Sequence, residues 1–368
     1  MGESMGAWNE GHREDPKPCR EQDQGLFEIT GRDGRARLGR LHTSHGILET
    51  PALLPVINPN IRTIEPREMW DRYGIGALIT NSYIIWKHEE LKEKATKDGV
   101  HALLNFPGMV MTDSGTFQSY IYGDVEVGVE EIVNFQRSIG VDVATMLDVF
   151  SRPDMTYDQV DACVMETLQR AEVSVNAAGD TMLNGPIQGG LFRALRSKSA
   201  QGMAGYDFAI HPIGGIVPVM EQHRYKDYAK IMLATLPYLP SQRPVHMFGC
   251  GHPMLFPMSI ALGADLFDSA AYALFARDGR LLTPWGTERI ESMVDWPMLM
   301  PCVATMTPGQ VKEMSKEDRT ELLARYNLEI TLNELNRCKQ AIRDGTLWRL
   351  VERRSHQHPN ALEGSLSS

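Results

Sequence analysis

Three aspartates and a glutamine each close a short apolar run: Asp113 after MVMT, Asp148 after VATML, Gln188 after LNGPI and Asp268 after ADLF. The pair Gly214-Gly215 follows AIHPI in the same way, and His252 follows FGCG. Paired carboxylates suit chemistry at an acetal-like carbon, where one attacks and the other passes a proton to or from the leaving group. Aspartate and an amide also suit the edge of a purine: a carboxylate accepts from ring N–H and exocyclic amine, and an amide donates and accepts. Adjacent glycine N–H groups can meet a carbonyl oxygen, and Phe117 can stack on a ring. These residues therefore read as a nucleobase or sugar site. The competing reading is a set of helix caps, since Asp113-Ser114 and Asp268-Ser269 precede helical sequence. Small residues in DSGTFQ and FDSAAY favour a ligand approaching the backbone closely.

The elements that carry these groups form a repeat. Apolar, β-rich runs begin at 50, 75, 109, 141, 183, 207, 244 and 264, and most gaps hold a segment of helical periodicity such as VEEIVNFQRSIG or RYKDYAKIMLATLPYL. Strand then helix, eight times over, predicts an α/β protein of the (β/α)8 TIM-barrel class, in which active groups sit at the C-terminal strand ends. A doubly wound open sheet is the alternative, but no GxGxxG follows an early strand. The alternating stretch LFEITGRDGRARLGRLHTSHG contains a DG turn and predicts a hairpin capping the barrel's bottom. From Thr307 onward the sequence predicts a helical subdomain, opened by Thr-Pro and interrupted at Asp344-Gly345. The expected organisation is a disordered lead-in over 1–25, a catalytic barrel over 26–296, the helical subdomain over 297–354 and a flexible tail over 355–368.

Composition narrows the class. The chain has 368 residues, 42% hydrophobic and 23% charged, with a net charge of −10, so it is globular and not built as a generally basic nucleic-acid binder. Five scattered cysteines without a CxxC pair fit a reducing cytoplasm better than a disulfide framework. The polar N-terminus does not read as a signal peptide, and no run is long and apolar enough for a bilayer, so a cytoplasmic protein with no membrane partner is expected. Cys250 and His252 in FGCGHP read as a packed turn in preference to a nucleophile pair.

Around these residues the sequence resembles the tRNA-guanine transglycosylases, in particular their archaeal archaeosine branch. The likeness runs nearly continuously from LFEITGRDGRARLG to about Val351 and includes ETPALLPVINPN, ALITNSYIIWK, TDSGTFQ, IGVDVATMLD, PIQGG, IHPIGGIVP, RPVHMFGCGHP and GADLFDSAAYALFARDGR. It implies a (β/α)8 barrel that exchanges a D-loop guanine of tRNA (position 15) for 7-cyano-7-deazaguanine. By resemblance Asp268 matches the nucleophile at C1′ and Asp113 the general acid/base. Asp148, Gln188 and Gly214-Gly215 match the groups that recognise the base, with Phe117 stacking and Ser114 beside them.

Two departures from the family stand out. Its structural zinc is held by three cysteines and a histidine, whereas the aligned positions here are Met298, Met300, Val303 and Tyr326. No zinc and no other cofactor is therefore expected. Archaeal members commonly continue into RNA-binding domains, but here little sequence follows the barrel. The stretch 336–358 carries six basic residues (Arg337, Lys339, Arg343, Arg349, Arg353, Arg354) against Asp344 and Glu352, suited either to phosphates or to a solvated helix face. A homodimer, or a complex with a separate RNA-binding chain, is the expected assembly. A non-catalytic subunit of such a complex, or the same exchange on DNA, are the alternative functions.

Overall fold

Strand alternation explains the architecture of the computed structural model, which describes residues 12–116 and 127–358. Eight parallel strands follow one another around a barrel: β4 (Ala52–Ile57), β5 (Ala77–Asn81), β6 (Met109–Asp113), β7 (Val143–Thr145), β8 (Met182–Asn184), β9 (His211–Ile213), β10 (Val245–Met247) and β11 (Leu266–Ser269). β11 returns to pair with β4, and bridges Asn184↔Ile210 and Ile187↔Ile213 close the seam between β8 and β9. All eight predicted runs supply a strand, as the (β/α)8 reading requires.

Within each strand, successive side chains face opposite sides. Leu54, Ala77, Ile79, Met109, Met111, Val143, Met182 and Leu266 fill the interior, while Leu53, Leu78, Val110, Ala144, Leu183, Met247 and Phe267 pack outward against the helices. The predicted hairpin is present and gains a third strand. β1 (Phe27–Asp33), β2 (Ala36–Thr43) and β3 (Gly46–Thr50) make an antiparallel sheet whose Phe27, Leu41 and Leu48 join the interior cluster from below. Gly39 is required in β2, because a Cβ there would lie 2.5 Å from the Phe27 ring.

Two buried carboxylates tie this cap to the barrel. Asp265, just before β11, accepts from Arg37 Nε at 3.0 Å and from Arg37 Nη2, and also takes the Val245 N–H at 2.8 Å. Arg37 Nη1 continues to the Ser241 carbonyl at 2.6 Å. Removing one partner of such a pair costs about 3–5 kcal/mol, because it strands a buried charge. Asp142, before β7, accepts from Ser44 Oγ at 2.7 Å, from Val110 N–H at 2.8 Å, and contacts His45 at 2.8 Å and His101 at 3.0 Å.

The C-terminal helices form as predicted. Thr307 caps Pro308–Lys312 and Ser315 caps Lys316–Arg343; the chain breaks at Asp344-Gly345 before Leu347–Ser355. Asn327 fixes the long helix to the barrel, accepting from Leu282 N–H at 2.8 Å and donating to the Tyr272 and Arg280 carbonyls. Leu323, Ala324, Tyr326 and Leu328 share one continuous core with the barrel. Residues 12–25, expected to be disordered, include contacts to the barrel: the Arg13 guanidinium lies 3.8 Å from the centre of the Trp70 ring, and the Arg13 backbone N–H donates to Asp71 Oδ1 at 3.0 Å. Among the described residues no helix is long and apolar enough to cross a membrane.

Candidate active site at the C-terminal barrel mouth

Asp113 ends β6 and is held from two sides. Its Oδ1 accepts from Gly115 N–H at 2.8 Å and from Asn81 Nδ2 at 2.7 Å. Asn81 ends β5, and its own Oδ1 caps the next helix by accepting from Ile84 N–H at 2.7 Å, so the amide orientation is fixed. Burial pushes Asp113 up to about 7, and the Asp268 and Asp148 carboxylates add to the rise while the Gly115 and Asn81 bonds oppose it. The Asp268 and Asp148 carboxylates thus both act on Asp113 in one mouth.

Asp268, on β11, accepts the Gly249 N–H on Oδ1 at 2.9 Å. His246 Nε2, on the neighbouring β10, sits 2.8 Å from the same oxygen with its N–H off the hydrogen-bond line. Among the described residues Oδ2 has no protein partner.

On the other side, Gln188 Nε2 donates to Asp148 Oδ2 at 2.5 Å. Gln188 Oε1 accepts from Ser151 N–H at 3.2 Å and from Ser151 Oγ at 2.8 Å, which leaves the amide one orientation. Burial raises Asp148 while the Gln188 bond lowers it, with a net upward shift. Gly214 must be glycine here, since a Cβ would lie 2.6 Å from Gln188 Nε2, and Gly215 takes a left-handed φ of +70°. Both glycines line the same wall as Gln188.

Ser114 is 1% exposed and donates its hydroxyl to the Met146 carbonyl at 3.0 Å, tying β6 to β7 beneath the mouth. Phe117 lies outside the described residues. Cys250 is fully buried, with the Tyr228 hydroxyl donating to its sulfur at 3.4 Å, and burial pushes its thiol up to about 12. A protonated, enclosed thiol fits the packed turn. Sequence reasoning missed Asn81, Ser151, Arg196 and His246, all of which touch the residues above.

The zinc implied by the family does not fit this chain. Met300 and Val303 are buried in the core, Trp296 stacks on Tyr326 with ring centres 5.3 Å apart, and the Tyr326 hydroxyl donates to the Met298 carbonyl at 3.0 Å. Two thioethers, a phenol kept protonated by burial and an isopropyl group are not a zinc donor set. No chemistry below passes through a metal at that position. Of the basic stretch, Arg354 is buried and bound through Nε and Nη2 to Glu334, at 2.6 and 2.8 Å, with Nη1 donating to Gln357 Oε1 at 3.2 Å, so it cannot reach a phosphate.

Comparison with known proteins places these features. The family model described as queuine tRNA-ribosyltransferase matches residues 33–360. The chain is similar to the tRNA-guanine(15) transglycosylases of Thermococcus onnurineus (46% identical over 333 residues, 90% of this chain and 57% of the relative). It is also similar to that of Methanocaldococcus jannaschii (46% over 345 residues, 92% and 52%). The chain thus spans little more than half the length of these curated relatives. A match over most of its length, on a closed barrel with carboxylates at its C-terminal mouth, makes the chain a member of the queuine tRNA-ribosyltransferase family.

Proposed function

We propose that this chain exchanges a guanine of tRNA, at position 15 in the D-loop, for 7-cyano-7-deazaguanine, through a covalent intermediate on Asp268. The observation that carries the reading is the pair Asp113 and Asp268 in one mouth, with Asp113 raised to about 7 by burial and by Asp268 itself. Two carboxylates whose environments differ in this way divide the work of acid and nucleophile.

Asp268 Oδ2 attacks C1′ of the target nucleoside while Gly249 holds Oδ1. The C1′–N9 bond breaks, and Asp113 gives its proton to the departing guanine. The incoming base then returns a proton from its N9–H to Asp113, N9 bonds to C1′, and the C1′–Asp268 ester bond breaks. Each displacement inverts C1′, so the pair retains the β-configuration. Asp148 accepts from ring N–H and the exocyclic amine, with Gln188 fixing its free oxygen toward the base. The Gly215 N–H meets the ring carbonyl.

The test is denaturing electrophoresis of the full chain incubated with a tRNA transcript and labelled guanine, wild type beside Asp268→Ala. Wild type is expected to show a retarded protein–tRNA band and label incorporation, and D268A neither. Undiminished exchange in D268A overturns the nucleophile assignment. A wild type inert on tRNA but active on DNA moves the substrate, and inertness on both favours a non-catalytic subunit.

A further inference from the structure

Arg196, in the helix Arg193–Met203, is completely buried, yet no carboxylate among the described residues lies within ion-pair distance of it. Buried cations are ordinarily paired, because desolvation is costly. Here the guanidinium donates instead to three main-chain carbonyls: Nε to Gly190 at 2.9 Å, and Nη1 to Ile187 and Gly214, each at 2.9 Å. Those carbonyls belong to the two turns that hold Gln188 and Gly214-Gly215. Its Nη2 has no partner among the described residues. One turn further on, Ser199 Oγ accepts the Gln188 N–H at 3.2 Å, so one helix face anchors the whole wall. Close fit is enforced at Gly189, where a Cβ would lie 2.6 Å from the Arg196 backbone nitrogen.

The geometry has a directional consequence. In a trans peptide the C=O of one residue and the N–H of the next point to opposite edges. With the Gly214 carbonyl drawn onto Arg196, the Gly215 N–H is turned away from it, and among the described residues that N–H meets no acceptor. A positive charge behind the peptide strengthens its N–H as a donor. Resting on the base-exchange reading above, we propose that Arg196 is the positioning residue of the base pocket: it fixes the Gly214–Gly215 peptide with its N–H toward the ring carbonyl and supplies buried positive charge against the electron-rich base as the C1′–N9 bond breaks or forms. It touches neither substrate nor reacting atom. Burial lowers the guanidinium only to about 9, which leaves it charged at neutral pH.

The test compares Arg196→Gln and Arg196→Lys with wild type, using guanine binding by calorimetry, guanine exchange into a tRNA transcript, and thermal melting. R196Q is expected to weaken guanine binding about 30-fold or more, the scale of one charge-assisted hydrogen bond, with the KM for tRNA within about twofold. R196K keeps the cation and is expected to recover part of that loss. Because burial depresses a lysine, the guanine affinity of R196K relative to wild type should fall between pH 6 and 8, a ratio in which the titration of Asp113 and Asp148, common to both proteins, cancels. If R196Q does not fold, the pH dependence of R196K decides alone. A folded R196Q that binds guanine as wild type does, or an R196K whose affinity relative to wild type is the same at pH 6 and 8, overturns the proposal. Wild type that binds guanine without exchanging it defeats the exchange reading but leaves this comparison intact; wild type that does neither defeats both.

Discussion

Asn81 Nδ2 donates to Asp113 Oδ1 at 2.7 Å, joining the C-terminal ends of β5 and β6 in one hydrogen bond. The bond favours the ionised carboxylate, so it limits how far burial can raise Asp113. Asn81→Asp should keep the helix cap, because a carboxylate oxygen can still accept from Ile84 N–H. It removes the donor, however, and sets a second negative charge beside Asp113. The Asp113 value therefore rises from about 7. In a pH profile of guanine exchange, the limb that reports Asp113 should move to higher pH by about one unit or more. An unshifted limb would show that Asn81 does not control this proton.

How much of this was legible in the sequence follows from what each residue faces. Strand ends are marked by a switch from apolar run to polar residue, and that rule located Asp113, Asp148, Gln188, Gly214 and Asp268. It stopped one residue short in IGALIT, and Asn81 was passed over. His246 lies within a strand, where a polar side chain turned into the barrel leaves no boundary to read. Arg196 sits in RALRSKSA, a helix that reads as solvated because arginines are rarely fully buried. Its role depends on carbonyls brought from two other turns, and contacts of that kind are not written in local sequence. The same limit applies to Arg354, counted with a basic patch until Glu334 is seen beside it. The third cap strand was missed because GILETP runs into the first barrel run without a turn signal of its own.

The region that corresponds to the family's zinc site is a packing question. Trp296, Tyr326, Met300 and Val303 offer shape where the family offers thiolates, and methionine fits irregular space well. A chelator that strips structural zinc should therefore leave the melting temperature of this chain unchanged within about 1 °C. In a zinc-dependent fold the metal contributes on the order of 10 kcal/mol and its removal unfolds the module. Melting with and without a strong chelator, alongside elemental analysis, checks this. One equivalent of zinc and a chelator-sensitive transition would mean that other donors have taken over.

At the opposite end of the barrel, Asp142 gives the fold an acid-sensitive clamp. Burial works to raise it, but hydrogen bonds from His101 and His45 outweigh burial and hold it well below the usual carboxylate range. The two imidazoles stack with ring centres 3.6 Å apart, and Ser44 and Val110 occupy the remaining acceptor positions of the same carboxylate. This saturated arrangement joins the β2–β3 turn, the helix Val100–Leu104 and the start of β7 through one ionised group. A depressed folded value means that the stabilisation is fully present above the unfolded value, about 4, and is lost as pH falls through the folded value. Asp142→Asn keeps the size but halves the acceptors, and at pH 7 it should cost about 2–4 kcal/mol in urea unfolding. Below about pH 4 that difference should shrink, because wild type progressively loses what the variant already lacks. A difference that stays constant from pH 7 to pH 3 would show that the clamp acts through packing of the two rings and not through the charge on Asp142.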